Sequence, residues 1–291
     1  MKNLLTVDLE DWFSVEVLKD ALPPETWDGQ ESVVERNTIE VLNLFDRHEV
    51  KATFFVLGWI AERHPELIKE VARREHEIAC HSYYHRMVSS LSPDEFRRDT
   101  DMAVEAIVNA CGRIPIGYRS PTWGMQSDMT WAFDILAELG FEYDSSIFPT
   151  RHDLYGDLNA AQEPYPIRTT SGKIILEIPV MTVADKRTAV AGGGWLRHRP
   201  YWFTRREIER MNGREMAMVI YFHPWELDQN LPEKGLLTYI RKKRGPVKDW
   251  VRQYMGIASM KMKVEKLLRD FEFMPIKDSL ETFKARRRNT L

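Results

Sequence analysis

The sequence predicts an α/β fold, a distorted (β/α) barrel of about seven parallel strands with a C-terminal helical extension. Short apolar segments alternate with amphipathic helical segments, which is the pattern of parallel strands joined by helical crossovers. No glycine-rich phosphate-binding loop follows the first apolar segment, as it would in a dinucleotide-binding sheet. Polar side chains follow several predicted strands instead, which is typical of a barrel whose active site lies at the strand C-termini.

The apolar and periodic segments locate the elements of this barrel. Strands are predicted at residues 4–7, 52–57, 77–80, 117–120, 142–145, 174–180 and 216–222. Helices are predicted at residues 33–48, 59–74, 92–111, 128–139 and 205–211. The clearest helix start is a capping box formed by Ser92 and Glu95, with Pro93 at the first helical position. Gly112 and Gly140 are expected to end two of the helices.

The distribution of charge divides the chain into two regions. Residues 231–291 hold 16 Lys and Arg against 7 Asp and Glu, although the whole chain has a net charge of −3. We therefore expect a catalytic barrel at residues 1–230 and a basic extension at residues 231–291 that packs on it through a helix at residues 259–271. The basic residues could form a solvated face or contact an anionic partner peripherally. The overall charge argues against nucleic-acid binding.

The cysteines and the apolar segments bear on the cellular compartment. Cys80 and Cys111 form no CxxC pair or disulfide framework, which fits a reducing compartment. The N-terminal residues contain no apolar run typical of a signal peptide. No segment approaches the roughly 18 apolar residues of a membrane span. A cytoplasmic location is therefore expected.

Two of the polar clusters at strand ends suggest a metal site. The first holds Asp8, Glu10 and Asp11, whose charges repel one another unless a cation or a proton offsets them. The second holds His81 and His85, whose i, i+4 spacing on a helical turn can offer two imidazoles to one metal. An isolated H-x-x-x-H pattern is a weak signal, but acidic residues elsewhere are available to complete the site.

Two further strand ends carry an arginine and a histidine. A buried arginine at position 119 needs a carboxylate partner or an anionic ligand. His223 taken alone could be a core histidine, but a barrel would project it into the same mouth as the other three clusters. The glycine run at residues 192–194 is interpreted as a mobile loop over this mouth. The remaining histidines are interpreted as structural or solvated, namely His48, His64, His76, His152 and His198.

Taken in chain order, these motifs resemble the polysaccharide deacetylases, carbohydrate esterase family 4 with its NodB homology domain. The resemblance covers roughly residues 4–225. It rests on the acidic cluster, the H-x-x-x-H of His81 and His85, Arg119-Ser120-Pro121 as an R-x-P motif, Asp144-Ser145-Ser146 as a D-S-S motif, and the late histidine His223.

One departure points to a branch of that family. The common family motif has two adjacent acids, whereas Asp8 and Glu10 are one residue apart. This spacing resembles the branch with allantoinase-like and atypical peptidoglycan deacetylases. The region after Glu226 resembles the extension of deacetylases from exosortase-linked exopolysaccharide loci. The resemblance implies metal-dependent removal of N-acetyl groups from a polysaccharide or a lipid-linked sugar in exopolysaccharide or cell-envelope biosynthesis.

The resemblance also assigns roles to individual residues. Asp8 is expected to be the catalytic base, His223 the acid and Arg119 the ion-pair partner of Asp8. A divalent metal, expected to be zinc, would be held by His81, His85 and Glu10. Asp11 is the alternative to Glu10 as the carboxylate ligand. Because residues i and i+2 of a strand point to the same side, Asp8 and Glu10 can share one site. Substrate contacts are expected from Trp12, Pro121, Trp123, Asp144, Trp195 and Trp225.

Two alternative functions remain open from the sequence. A hydrolase of the same fold could act on a small cyclic amide, as the allantoinase-like relatives do. A catalytically inactive sugar-binding module is a third interpretation, against which the complete set of acids, histidines and arginine argues. The oligomeric state is not predicted.

Overall fold

The computed structural model describes residues 2–152, 155–180, 182–183, 188–190, 192–231 and 253–288. Seven parallel strands form an open, distorted barrel in the spatial order β10-β1-β2-β3-β4-β5-β7, and β6 extends the β7 edge in the antiparallel direction. The predicted fold class is confirmed. The strands are β1 (Asn3–Leu9), β2 (Thr53–Val56), β3 (Glu77–Cys80), β4 (Gly117–Tyr118), β5 (Tyr143–Asp144), β6 (Tyr165–Arg168), β7 (Ile174–Glu177), β8 (Thr182–Val183), β9 (Thr188–Ala189), β10 (Val219–Phe222) and β11 (Phe273–Met274).

Helices connect these strands. They are α1 (Val34–Arg47), α2 (Gly58–Arg63), α3 (Pro65–Arg73), α4 (Pro93–Cys111), α5 (Thr130–Glu138), α6 (Gly193–His198), α7 (Tyr201–Asn212), α8 (Ile257–Asp270) and α9 (Leu280–Arg288). The Ser92 capping box is present, and Gly112 ends α4 in the left-handed conformation with φ 69°. The predicted helix at residues 59–74 is divided at Pro65, which begins α3. None of the helices in the described ranges has the length and apolar character of a membrane span.

Side-chain alternation along β1 determines which residues enter the barrel. Leu4 packs in the interior cluster, and Thr6 and Asp8 both accept hydrogen bonds from the buried guanidinium of Arg119. Leu5 and Val7 point the other way, into the larger core between the sheet and its helices. The interior therefore changes from apolar at the start of β1 to charged at its C-terminal end, which is where a barrel active site is expected.

The C-terminal region is part of the barrel. Strand β11 pairs in parallel with Asn3 and Leu4 of β1, and the backbone N–H of Ile276 donates to Thr53 Oγ1 on β2. Ile276 and Leu280 then complete the apolar cluster at the lower end of the interior. The sequence analysis expected packing through a helix at residues 259–271, and it predicted neither the pairing of β11 nor the contacts of Ile276 and Leu280. The boundary at residue 230 stays a prediction, and residues 232–252 of the basic extension lie outside the described residues.

Substitution of Ile276 should weaken the whole barrel. The side chain is fully buried, so Ile276→Ala should lower the free energy of unfolding by ~2–5 kcal/mol through lost burial and a residual cavity. Ile114→Ala is the matched control, because Ile114 is 73% exposed and its truncation should change stability by no more than ~0.5 kcal/mol. Urea denaturation of the two variants would measure this, and equal midpoints would show that the C-terminal region does not support the barrel.

Candidate active site

Three buried residues from two strand ends form a cluster with the geometry of a metal site. The nearest ligand atoms of Glu10, His81 and His85 all lie within 4.8 Å of one another. Glu10 follows β1, and both histidines follow β3. Glu10 Oε2 lies 2.8 Å from His85 Nε2. Burial raises the pKa of Glu10, but the neighbouring imidazoles of His85, His223 and His81 outweigh it and hold that pKa well below its usual range.

The two histidines meet through an irregular loop and not through the expected helical turn. Ser82 and His85 both have left-handed backbone conformations, with φ of 63° and 56°. The loop is held by the backbone N–H of Tyr83, which donates to Asp99 at 2.8 Å, and by that of His85, which donates to Ser82 Oγ at 3.1 Å. These contacts bring the His81 and His85 ring centroids to 5.3 Å from each other. The i, i+4 spacing was informative, but the predicted helical reason for it was wrong.

Asp11 points away from this cluster. One carboxylate oxygen accepts hydrogen bonds from Ser32 Oγ and from the backbone N–H groups of Val33 and Val34, at the start of α1. The other oxygen accepts from the backbone N–H of Trp12 at 2.8 Å. Burial raises the pKa of Asp11 although these hydrogen bonds oppose the shift. The structure therefore brings Glu10, and not Asp11, to the two histidines.

The donor atoms of the cluster fit a divalent metal. His81 Nδ1 lies 2.8 Å from the backbone carbonyl of Arg119. A carbonyl only accepts, so Nδ1 carries the proton and Nε2 of His81 is left with a free lone pair. Nδ1 of His85 is buried and has no hydrogen-bond partner among the described residues. Two imidazoles and one carboxylate form the three-ligand set of catalytic zinc sites, which keep a further position open.

Asp8 lies beside the cluster in a buried ion pair. Arg119 Nη1 donates to Asp8 Oδ1 at 2.7 Å and to Thr6 Oγ1 at 2.8 Å. The other guanidinium nitrogens donate to the backbone carbonyl and the hydroxyl of Ser145. Both partners are almost inaccessible to solvent. The Asp8 carboxylate is therefore held in one orientation.

His223 completes the polar group from the end of β10. Its Nε2 lies 3.4 Å from Glu10 Oε1 and 3.9 Å from Asp8 Oδ2. Its Nδ1 lies 3.0 Å from Glu226 Oε2, which also accepts from the His223 backbone N–H. Burial lowers the pKa of His223, but the carboxylates of Glu226, Glu10 and Asp8 outweigh it and raise that pKa to about 9. The imidazole thus presents a proton on Nε2 toward the acidic cluster.

An aromatic-walled cavity of about 590 Å³ opens above these groups. Trp123 and Tyr221 lie with ring centroids 4.9 Å apart. Tyr155 stacks on His152 at 4.0 Å. Trp225 stacks on His223 at 5.3 Å. The lining includes Asp8, Glu10, His81, His85, Ser120, Thr122, Trp123, His152, Tyr155, Gly194, Trp195, Arg197, His198, Tyr221, His223, Trp225 and Gln253. Aromatic side chains beside polar catalytic groups suit a sugar ring, which has apolar faces and a polar rim.

Of the expected substrate contacts, the structure brings Trp123, Trp195 and Trp225 to the cavity. Trp12, Pro121 and Asp144 are buried elsewhere and do not line it.

Each of these three departures has a structural reason. Trp12 Nε1 donates to the backbone carbonyl of Glu31, and its ring packs against the Phe13 ring. Pro121 is buried at the first position of a short 3-10 helix, between the cavity residues Ser120 and Thr122. Asp144 is opposite Glu177 in the β5–β7 register and accepts from Ser146 Oγ, whose oxygen accepts from the Ser120 backbone N–H. Asp144 therefore supports the loop that follows β4.

The glycine run at residues 192–194 forms regular secondary structure, whereas the sequence predicted a mobile loop. Gly192 forms a β-bridge with Tyr221, and Gly193 begins α6. A Cβ atom on Gly192 would lie 1.9 Å from the Tyr221 ring, so glycine is required for this close approach. The run places α6 at the wall of the cavity.

Sequence reasoning missed several residues that line the cavity or contact His223. Tyr221 could have been found, because it lies two residues before His223 on the same side of β10. Glu226 could also have been found, since it follows His223 at capping-box spacing with Pro224 between them. His152, Tyr155 and His198 lie in loops or short elements with no local pattern that would reveal their position.

Comparison with protein-family models divides the chain into two parts. The model described as polysaccharide deacetylase matches residues 25–143, and a model described as a domain of unknown function (DUF3473) matches residues 145–281. The acidic cluster therefore precedes the first match, and His223 falls within the second.

Individual proteins support the same relationship. A peptidoglycan-N-acetylglucosamine deacetylase of Bacillus cereus is 33% identical over 97 residues, which are 33% of this chain and 35% of that protein. The similarity spans between 35% and 43% of the length of the curated relatives.

Two solved structures show the same fold over most of the chain. A Mycobacterium smegmatis protein described as a polysaccharide deacetylase has a TM-score of 0.62 at 22% identity, with 99% of this chain and 92% of that chain covered. The allantoinase PuuE has a TM-score of 0.56 at 14% identity, with 86% and 89% covered. At these identities the likeness concerns the fold alone. The family match at residues 25–143 and the curated relative confirm the resemblance seen in the motifs, and they relate this part of the chain to the polysaccharide deacetylases.

Proposed function

We propose that this protein is a metal-dependent deacetylase that hydrolyses N-acetyl groups on the sugars of a polysaccharide. The observation that supports this most directly is the convergence of Glu10, His81 and His85 within 4.8 Å, beside Asp8 and His223. The relative in Bacillus cereus is named for deacetylating N-acetylglucosamine of peptidoglycan, a substrate with the same amide. The aromatic walls of the cavity suit the faces of such a sugar.

Glu10, His81 and His85 would hold the metal, for which we propose zinc. A divalent ion bound there would act as a Lewis acid, polarising the acetamide carbonyl and lowering the pKa of a water molecule from ~15.7 toward about 7. The ligand types suit zinc because it accepts imidazole nitrogen and carboxylate oxygen in a site with an open position.

Asp8 and His223 divide the proton transfers. Asp8, fixed by Arg119, accepts the proton of the attacking water. His223 donates from Nε2 to the sugar nitrogen as the amide bond breaks, because its Nδ1 is bonded to Glu226. The two groups lie 3.9 Å apart at their nearest atoms, so one acetamide can contact both. Arg119 acts through Asp8 and does not reach the cavity lining.

We further propose an exopolysaccharide or lipid-linked sugar in envelope biosynthesis as the biological substrate. This rests on the resemblance of the region after Glu226 to the extension of deacetylases from exosortase-linked loci. Peripheral contact with an anionic surface through the basic residues at 231–291 is part of the same proposal.

The metal ligands are tested by separating Glu10 from Asp11. Glu10→Gln should weaken metal binding by more than roughly 10-fold. Mutating a residue that only hydrogen-bonds to a metal ligand already costs that much, and Glu10 is a proposed ligand itself. His81→Ala and His85→Ala should act in the same direction. Asp11→Asn should keep the metal but lower the free energy of unfolding by ~0.3–2 kcal/mol, because the α1 N-terminus loses a buried negative charge. Metal titration and denaturation measure both effects, and the reverse order for Glu10 and Asp11 would contradict the assigned site.

The activity is tested by acetate release from a panel of N-acetylated oligosaccharides, with hydrolytic ring opening of allantoin measured alongside. The unmodified protein should release acetate, and chelation of the metal should abolish it. Asp8→Asn should reduce turnover by ~100-fold or more, the usual scale for a general base, while the metal stays bound. Ring opening of allantoin without acetate release would favour the allantoinase-like alternative, and a metal-free protein that is inactive on both substrates would favour a sugar-binding module.

The acid role of His223 is tested by changing the leaving group. His223→Ala should slow hydrolysis of the N-acetyl sugar much more than hydrolysis of an activated acetyl ester, whose leaving group needs little protonation. His223 must be protonated to act, so turnover of the unmodified protein should fall as the pH rises through its raised pKa of about 9. The variant should lack this alkaline limb. Equal small losses on both substrates would show that His223 is a structural histidine.

A further inference from the structure

His223 is connected to the C-terminal region by a series of buried contacts. Glu226 uses one carboxylate oxygen to accept from His223 and the other to accept from Arg197 Nε on α6. Glu226 is fully buried, and the Arg197 side chain is 4% exposed. Arg197 Nη1 donates in turn to the backbone carbonyls of Gln253 and Met255. The buried carboxylate that orients His223 is thus itself oriented by an arginine.

The C-terminal region also holds α6 directly. The buried Lys263 ammonium of α8 donates to the backbone carbonyls of Leu196, Arg197 and Arg199 at 2.6–3.0 Å. These carbonyls at the end of a short helix would otherwise lack partners. Gly256 lies against the same turn, with φ of 87°, and a Cβ atom there would lie 2.4 Å from the Arg197 carbonyl oxygen.

We propose that Arg197 is a positioning residue for the acid His223, and that residues 253–263 of the C-terminal region complete the active site by holding Arg197 in place. This rests on the proposed function of His223 as acid. The C-terminal region then does more than close the lower end of the barrel, because it determines the orientation of a catalytic side chain at the upper end.

Arg197 positions His223 because Glu226, which contacts both residues, would lose one of its two partners if Arg197 were removed. A buried carboxylate needs its charge and its lone pairs satisfied. With Arg197 removed, one oxygen of Glu226 has no cation, and the carboxylate can rotate away from His223 Nδ1. Stacking on Trp225 at 5.3 Å and the nearby carboxylates of Glu10 and Asp8 would then hold the imidazole, and neither restraint selects which nitrogen faces the substrate.

The first test substitutes Arg197. Arg197→Met should lower kcat for the N-acetyl sugar by ~10–100-fold, the scale of a small misplacement of a catalytic group. The metal content and the kcat for an activated acetyl ester should change little, since neither of them depends on the acid. Arg197→Lys keeps a cation beside Glu226 and should recover part of the lost amide turnover. Equal losses on amide and ester, or no loss on either, would overturn the proposal.

The second test acts from the C-terminal region alone and decides the matter if Arg197→Met does not fold. Gly256→Ala places a methyl group against the backbone of Arg197 and should reproduce the selective loss of amide turnover. Gly172→Ala is the matched control, because Gly172 has a similar φ of 81° but open space around its Cβ position, in the turn between β6 and β7. If both glycine variants have the same activity on the amide, the C-terminal region does not position the acid.

Failure of this proposal can be told apart from failure of the proposed function. If the unmodified protein releases no acetate, the deacetylase function is wrong. If the unmodified protein is active and the His223→Ala variant shows the amide-selective loss while Arg197→Met and Gly256→Ala do not, only the positioning role is wrong.

Discussion

The buried ion pair between Arg119 and Asp8 is the interaction on which the rest of the site depends. The guanidinium occupies the middle of the barrel, where it bonds Asp8 and Thr6 of β1 and the backbone and hydroxyl of Ser145 beyond β5. The backbone carbonyl of the same residue orients His81. A buried charge is tolerated only when it is paired and hydrogen-bonded, so these contacts form together or not at all. One residue thereby links Asp8, the proposed base, to His81, a proposed metal ligand.

The two ends of the barrel perform different tasks. The lower end is closed by apolar side chains, to which Ile276 and Leu280 of the C-terminal region contribute. The upper end carries buried acids, histidines and an arginine, whose mutual pairing offsets the cost of removing them from water. The apolar packing at the lower end stabilises the barrel, and this offsets the cost of burying charged groups at the upper end. The C-terminal region contributes to both ends, through β11 below and through its contacts with Arg197 above.

Much of this arrangement was predictable because β-strands alternate their side chains. The alternation places Asp8 inside and predicts that Glu10 joins it while Asp11 faces the other way. It also excludes Asp144 from the cavity, because its neighbour Tyr143 occupies the interior side of β5. The expected substrate contact of Asp144 was based on the family motif. Strand alternation contradicts it, because Asp144 lies on the side of β5 opposite to Tyr143. Predicted strands and helices agree with the structure where apolar periodicity is strong, and they differ mainly at the ends of short strands such as β4.

The sequence by itself determined the fold class, the order of the strands along the chain and the identity of the acids and histidines at their ends. These features depend on the two-residue period of strands and the roughly four-residue period of helices, and each such period can be recognised within one short segment. Only the tertiary structure decided that Ser82 and His85 adopt left-handed conformations, that Gly192 packs on Tyr221, and that Arg197 meets Glu226 across 29 residues of chain. Such contacts join segments that are distant in sequence and carry no shared local pattern, so their partners become known only when the chain has folded.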